Sequence, residues 1–260
     1  MSDYNFILDG IKYSHSSASS FVTCPYGFKL KYIDALEEEG NFFSDYGSFI
    51  HTCMEKYFNG ELEFYELSDF YKNNYETAIV NSPPFAGMWD NYKNQGQAFF
   101  DAFYFPKKEY KILFTESKID FEINGVLFTA RPDLVLKNKK AKKNILLDYK
   151  TSNPFKYSWS GETVVSDKEK IEGYKRQMYL YTYAIRSVHN ISIDQIVLWF
   201  PRANETLSID WDEEKEKESV NEIIKTVERI KKENVFPPNN TNAFFCNNLC
   251  SVRKHCEYRP

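Results

Sequence analysis

No apolar run in these 260 residues approaches the length needed to cross a bilayer. The opening MSDYNFILDG lacks the basic-then-apolar layout of a secretory signal, so a cytoplasmic location and no membrane partner are the expectation. Positive charge is not in excess either. Thirty-three Lys and Arg against 37 Asp and Glu give a net charge of −4, which excludes a uniformly basic nucleic-acid-coating surface but not a basic groove. There is no Gly-x-x-x-x-Gly-Lys-Ser/Thr loop, hence no encoded ATP motor, and there are no internal repeats. Cysteines are few and odd in number, five, which argues against a disulfide framework and towards metal or cluster ligation.

The chain has ample material for a core, being 42% apolar and 17% aromatic, and its length suits one domain spanning 1–260. Its chemistry concentrates in TARPDLVLKNKKAKKNILLDYKT, residues 129–151. Two strands joined by a lysine-rich turn are expected, one around Val126 to Lys137 carrying Asp133 and one from Ile145 to Thr151. Strand side chains alternate, so Asp148 and Lys150 share a side while Ile145, Leu147 and Tyr149 pack the other. Charges beside such apolar neighbours need partners or a metal. Two carboxylates converging with an ammonium fit a divalent-cation site.

Upstream, residues 1–13 read as a strand or extended arm, and SHSSASS as the N-cap of a short helix interrupted at Cys24-Pro25. His15 reads as a polar loop residue. From about Asp45 a helix carries GSFIHTCMEKYF, with Gly47, His51 and Glu55 at i, i+4, i+8 on one face; Cys53 reads as a buried hydrophobe. Residues 61–110 are expected as helical pieces broken at Ser82-Pro83-Pro84, their aromatics mostly core. Strands resume at Ile112, with Asn124-Gly125 as a hairpin turn. Residues 153–167 read as a mobile loop, followed by a helix from about Asp167 to Val188 that places Gln177 and Tyr181 on one face. A strand QIVLWF, a turn at Pro201-Arg202, a short strand ending near Trp211, and an amphipathic helix with Val220, Ile223, Ile224, Val227 and Ile230 as its buried stripe complete the order.

Cys246, Cys250 and Cys256 form C-x3-C-x5-C in a loop-like tail, a spacing that suits a zinc or iron–sulfur site. Three ligands need a fourth. Cys24 is the candidate outside the core helix, and His255 is an alternative ligand if the ion is Zn²⁺.

Pro132-Asp133 followed by Asp148-Tyr149-Lys150, within LLDYKTS, resembles the PD-(D/E)xK nuclease superfamily and its RecB-like branch. Gly47-x-x-x-His51-x-x-x-Glu55, an acidic Glu116 one strand earlier, Gln177-x-x-x-Tyr181 and the one-plus-three cysteines follow in that branch's order. The resemblance implies an α/β, restriction-endonuclease-like core with a central mixed sheet flanked by helices. Its N- and C-terminal segments, 16–35 and 244–258, would be joined by a metal cluster. It further implies a Mg²⁺- or Mn²⁺-dependent deoxyribonuclease, an exonuclease acting on single-stranded or frayed DNA ends. Recombination, replication or CRISPR adaptation proteins are the partners implied, and the alternatives are a CRISPR-adaptation-type end-processing factor or a non-catalytic DNA-binding scaffold of the same fold. His51, Asp133, Asp148 and the Tyr149 carbonyl would hold the ion. Asp133, Asp148, Lys150, Gln177 and Tyr181 would form the catalytic set, with Lys150 orienting the attacking water and Gln177 and Tyr181 positioning the strand. Cys24, Cys246, Cys250 and Cys256 would hold a [4Fe–4S] cluster, although the branch's commoner spacing is C-x2-C-x5-C.

Overall fold

The computed structural model describes residues 3–157 and 163–260. Its centre is a five-stranded sheet of order β1-β4-β5-β8-β9, formed by β1 (Tyr110–Thr115), β4 (Leu134–Asn138), β5 (Asn144–Tyr149), β8 (Gln195–Phe200) and β9 (Glu205–Asp210). β5 and β8 pair in parallel and the other neighbours are antiparallel, so the sheet is mixed. The parallel pair is made possible by the crossover helix α7 (Lys168–His189) between them.

Helices cover both faces, which explains why the inner strands are apolar almost throughout. Along β5, Ile145, Leu147 and Tyr149 enter one core while Leu146 enters the other. The first core is closed by α4 (Phe42–Asn59), α5 (Leu67–Ala78) and α6 (Met88–Asp101). The second is closed by α7, α2 (His15–Thr23) and α8 (Glu213–Lys232). Side-chain caps set the starts of four of them: Ser14 and Ser17 form a reciprocal capping box at α2, Asn41 and Ser44 another at α4, and Asp167 and Asp212 cap α7 and α8. On α8 the stripe of Ile223, Val227 and Ile230 is buried, and so is one charge: Glu216 accepts from Thr182 (2.6 Å) and Trp211 (2.9 Å) and pairs with Arg186.

Three local expectations are corrected. Only the end of the N-terminal arm is extended, where Tyr13 bridges Phe128: Asn5–Gly10 form helix α1, whose Leu8 is fully buried and whose carbonyl end is held by the Tyr13 hydroxyl (3.0 Å). The span from Val126 to Lys137 is two strands rather than one. β3 (Val126–Ala130) pairs with β2 (Ile119–Ile123) in a separate hairpin, and the chain reaches the central sheet only after Pro132. Proline has no N–H to give a ladder, so the strand breaks there. The stretch expected as a loop forms the hairpin β6 (Phe155–Tyr157) and β7 (Thr163–Val165), with 158–162 outside the described residues.

The first core is unusually dependent on one missing side chain. Gly96 on α6 lies against the buried rings of Tyr71 on α5 and Tyr46 on α4; a Cβ there would land on the Tyr71 hydroxyl and 3.0 Å from the Tyr46 hydroxyl. Both rings are locked in the core and have no room to retreat. Gly96→Ala should therefore destabilise the protein by about 1–3 kcal/mol in urea unfolding. Gly10→Ala, where no atom lies within 4 Å, should change it by no more than about 0.5 kcal/mol. Equal effects at the two sites would disprove this packing.

Candidate active site

β5 delivers Asp148 and then Lys150 at its C-terminal end, and the break before β4 delivers Asp133 beside them. Both carboxylates are buried. The Asp133 Oδ2 accepts the Tyr149 backbone N–H at 2.7 Å, locking the Pro-Asp segment to β5. From the other layer, His51 in the middle of α4 points at the same spot. Its Nδ1 is 3.1 Å from Glu116 Oε1 and 3.5 Å from Asp133 Oδ1, and its Nε2 is 3.1 Å from the Tyr149 carbonyl oxygen. Gly47, one turn earlier, gives the end of β5 room, since a Cβ there would already sit 3.4 Å from the Thr151 hydroxyl.

Glu116 reaches His51 because its backbone is left-handed, with φ of +44° just after β1, while its N–H is held by the Asp133 carbonyl at 2.9 Å. That conformation is disfavoured for a side chain with a Cβ and persists only where surrounding contacts impose it. His51, Glu116 and Asp133 thus place ligand atoms within 4.8 Å of one another. Glu55, on the same face of α4, is outside that group.

The electrostatics follow from crowding. Burial opposes charge on His51, but Asp133, Glu116 and Asp148 outweigh it and raise its pKa to about 9. Burial and then the neighbouring Asp148 carboxylate push Asp133 up to about 8. A protonated His51 directs one N–H towards Glu116 and Asp133 and the other towards the Tyr149 carbonyl, the arrangement that its raised pKa reflects.

A second chain of contacts runs from Asp148. Its Oδ2 is 2.6 Å from the Lys150 ammonium, which also donates to Gln177 Oε1 at 2.7 Å; the Gln177 amide in turn donates to the Tyr181 hydroxyl at 2.9 Å. Burial alone would lower the Lys150 pKa, yet Asp148 and Asp133 hold it above its usual value, so the ammonium stays charged. It also lies 4.8 Å from the centre of the Tyr174 ring. Burial raises Tyr181 to about 12, keeping it a phenol. His15, expected in a loop, instead opens α2 near Lys150 and Arg176; burial and those two cations pull its pKa down to about 4, leaving it neutral.

Apart from this site, Cys24, Cys246, Cys250 and Cys256 line one cavity. Cys24 Sγ accepts the N–H groups of Gly27 and Asn239, each at 3.4 Å. Cys53 is fully buried elsewhere, in the core beside α5. The two chain ends also meet through backbone bonds, Tyr26 N–H to Pro237 (3.2 Å) and Glu39 N–H to Ser251 (2.7 Å).

His51, Asp133, Asp148, Tyr149, Lys150, Gln177 and Tyr181 thus come together at one place and Cys24, Cys246, Cys250 and Cys256 at another, while Glu55 lies outside the first and the His255 ring sits against the Glu37 carbonyl (3.2 Å). Two contributors were not assigned roles beforehand. Glu116 had only a positional signal, and Tyr174 none apart from its place on α7, one turn before Gln177.

Among solved structures, a "putative exonuclease" from Eubacterium rectale matches with a TM-score of 0.54 and 15% identity, over 97% of this chain and 90% of that one, a likeness of fold. SSO0001 matches with a TM-score of 0.36 and 14% identity over 94% of this chain and 85% of that one, too distant to carry an argument. No curated protein matches the chain at a comparable level of significance. The sequence profile of the PD-(D/E)XK nuclease superfamily spans residues 12–259, and with the mixed sheet and the Asp133–Asp148–Lys150 geometry already described, the chain belongs to that superfamily.

Proposed function

We propose that the protein is a divalent-metal-dependent deoxyribonuclease of the RecB-like kind, working as an exonuclease on single-stranded or frayed DNA ends. The observation that carries the metal reading is the donor set: an imidazole and two carboxylates, His51, Glu116 and Asp133, bring ligand atoms within 4.8 Å of one another, and the Tyr149 carbonyl lies 3.1 Å from the other ring nitrogen. Oxygen-rich donors with one imidazole suit Mg²⁺ or Mn²⁺. His51, Asp133, Asp148 and the Tyr149 carbonyl would hold the ion, and Glu116 joins them through its place beside His51 and Asp133. When bound, the ion supplies the Lewis acidity that makes water nucleophilic at neutral pH.

The chain's own groups do the rest. Lys150, fixed between Asp148 and Gln177, orients the attacking water and offsets charge growing on the phosphate. Gln177 aims Lys150, and Tyr181 aims Gln177, so this pair acts on the strand through the ammonium. Lys150 and Tyr149 line an open cavity of about 540 Å³, roomy enough for nucleotides.

For the four cysteines we propose a structural [4Fe–4S] cluster that joins segments 16–35 and 244–258 of a single domain. Two backbone N–H groups already aimed at the Cys24 sulfur favour it, since hydrogen bonds to thiolates tune such clusters. A single zinc would draw its sulfurs to about 2.3 Å from one centre. Among the described residues, no three of these thiols gather within 4.8 Å of one another.

Asp148→Asn and Lys150→Met should each lower cleavage of end-labelled linear single strands in Mn²⁺ by about 10²–10³-fold or more, with folding retained. Covalently closed circles should persist under conditions that consume linear strands. Full activity in the Asp148 variant would remove the nuclease reading, and rapid loss of circles would make the enzyme an endonuclease.

The metal site carries a pH signature. Binding needs neutral His51 and ionised Asp133, and both groups hold protons up to about 9 and 8 respectively. The two groups are in contact and each is shifted by the other, so Mn²⁺ binding at pH 7 should release about one proton from the pair, and affinity should rise by up to about tenfold per unit between pH 7 and 8. Titration calorimetry in buffers of different ionisation enthalpy measures this. A pH-independent affinity with no proton release would contradict the assigned ligands.

The cluster has an optical test. Protein prepared without oxygen should be brown with a broad visible band, lost on Cys24→Ser or Cys256→Ser but not on Cys53→Ser. Colourless protein carrying one zinc per chain would replace the cluster with zinc and leave the nuclease reading standing.

A further inference from the structure

The cavity beside Lys150 has a composition at odds with the rest of the molecule. The protein is acidic overall, yet this cavity is lined by Lys150, Lys170 and Arg202, and among the described residues no carboxylate lines it. Arg202 occupies the turn between β8 and β9 and is held in three ways. Its guanidinium carbon sits 3.6 Å from the centre of the Tyr92 ring, its Nε donates to Gln95 (2.9 Å), and one Nη donates to the Thr151 carbonyl (3.4 Å). None of these partners neutralises it, and among the described residues no carboxylate lies within ion-pair distance of it. A guanidinium has five N–H donors, so donors and a full charge remain after these contacts are made.

The Thr151 bond matters for position. It ties Arg202 to the residue directly after Lys150, so the guanidinium stands at a fixed offset from the proposed scissile phosphate. Across the same cavity lies Phe244, 38% exposed, its ring parallel to that of Phe85 (14° between planes, 5.9 Å between centres). Exposed aromatic rings beside unpaired cations are what a single-stranded nucleic acid uses, the cations for phosphates and the rings for bases.

We infer that this cavity is the subsite for the nucleotide adjoining the scissile linkage, with Arg202 gripping its phosphate and Phe244 stacking its base. The inference rests on the nuclease reading above and extends it by naming the residues that hold the strand. Tyr92 and Gln95 are positioning residues for Arg202. Lys170, on the first turn of α7, adds a further positive charge at the edge of the subsite.

The test is binding of a fluorescent oligothymidylate in chelator, read by anisotropy across a salt series, so that no catalysis intervenes. Arg202→Gln should weaken binding and reduce the slope of log affinity against log salt by about 0.7, one phosphate contact on a single strand. Arg202→Lys should keep the slope. Phe244→Leu should weaken binding about tenfold without changing the slope, and that loss should vanish on an abasic strand. Phe244 is exposed, so its variant remains informative even if a change at Arg202 disturbs folding. If wild-type protein binds and cleaves strands while Arg202→Gln keeps affinity and slope, or Phe244→Leu binds as wild type does, the subsite is wrong and the nuclease reading survives. A wild type that neither binds nor cleaves strands defeats both.

Discussion

Asp133 and Asp148 are carboxylates held in the apolar middle of the fold, where β5 leaves a sheet covered by helices on both sides. Charge in such a place is costly unless matched, and breaking a buried ion pair by removing one member typically costs about 3–5 kcal/mol. The match comes from two directions: Lys150 on the same strand and the imidazolium of His51 from the opposite layer. Everything else about the site serves that balance. Gly47 lets α4 come close to the end of β5, Tyr149 contributes its N–H to Asp133 and its carbonyl to His51, and Gln177 occupies a remaining donor of Lys150. A divalent cation held beside His51 would displace the proton that these carboxylates favour there.

Much of this was legible from local pattern. The alternation along residues 145–150 tells which side chains share a face, the i, i+4 spacings place His51 on one face of α4 and Gln177 with Tyr181 on one face of α7, and the serine run marks the start of α2, whereas the Asn41 cap starts α4 three residues before the expected Asp45. What escaped depends on contacts distant in sequence. The N-terminal residues form α1 because Leu8 is buried in the same core as α8, a tertiary gain that outweighs weak local propensity. The strand expected through Pro132 is split because its halves pair in different sheets, which composition does not reveal. Glu116 enters the site through a left-handed backbone that no residue preference at that position announces. Arg202 looked like an ordinary turn residue, because its anchors lie at Tyr92 and Gln95, more than a hundred positions earlier.

The four-cysteine cavity and the cavity beside Lys150 are neighbours through one short segment. Phe244 and Leu249 line the latter, while Phe245, Cys246 and Cys250 line the former. The segment has little regular structure of its own, a single π-turn at Phe245–Leu249. A covalent clip at its cysteines would therefore fix the wall of the groove as well as join the chain ends. Closing so long a loop stabilises mainly by limiting the unfolded chain, whereas fixing the Phe244 ring acts on the folded state and on the strand it is proposed to hold.

The account turns on His51 carrying the charge that a divalent cation would otherwise supply. Nitrogen-15 NMR of the imidazole rings measures this directly, and with four histidines in the chain His51 is assignable by comparison with His51→Gln. At pH 7 without metal, both ring nitrogens of His51 should carry protons. Saturating Mg²⁺ should strip one of them and move its resonance to that of a coordinated nitrogen. A neutral His51 in metal-free protein, unchanged by Mg²⁺, would contradict the account.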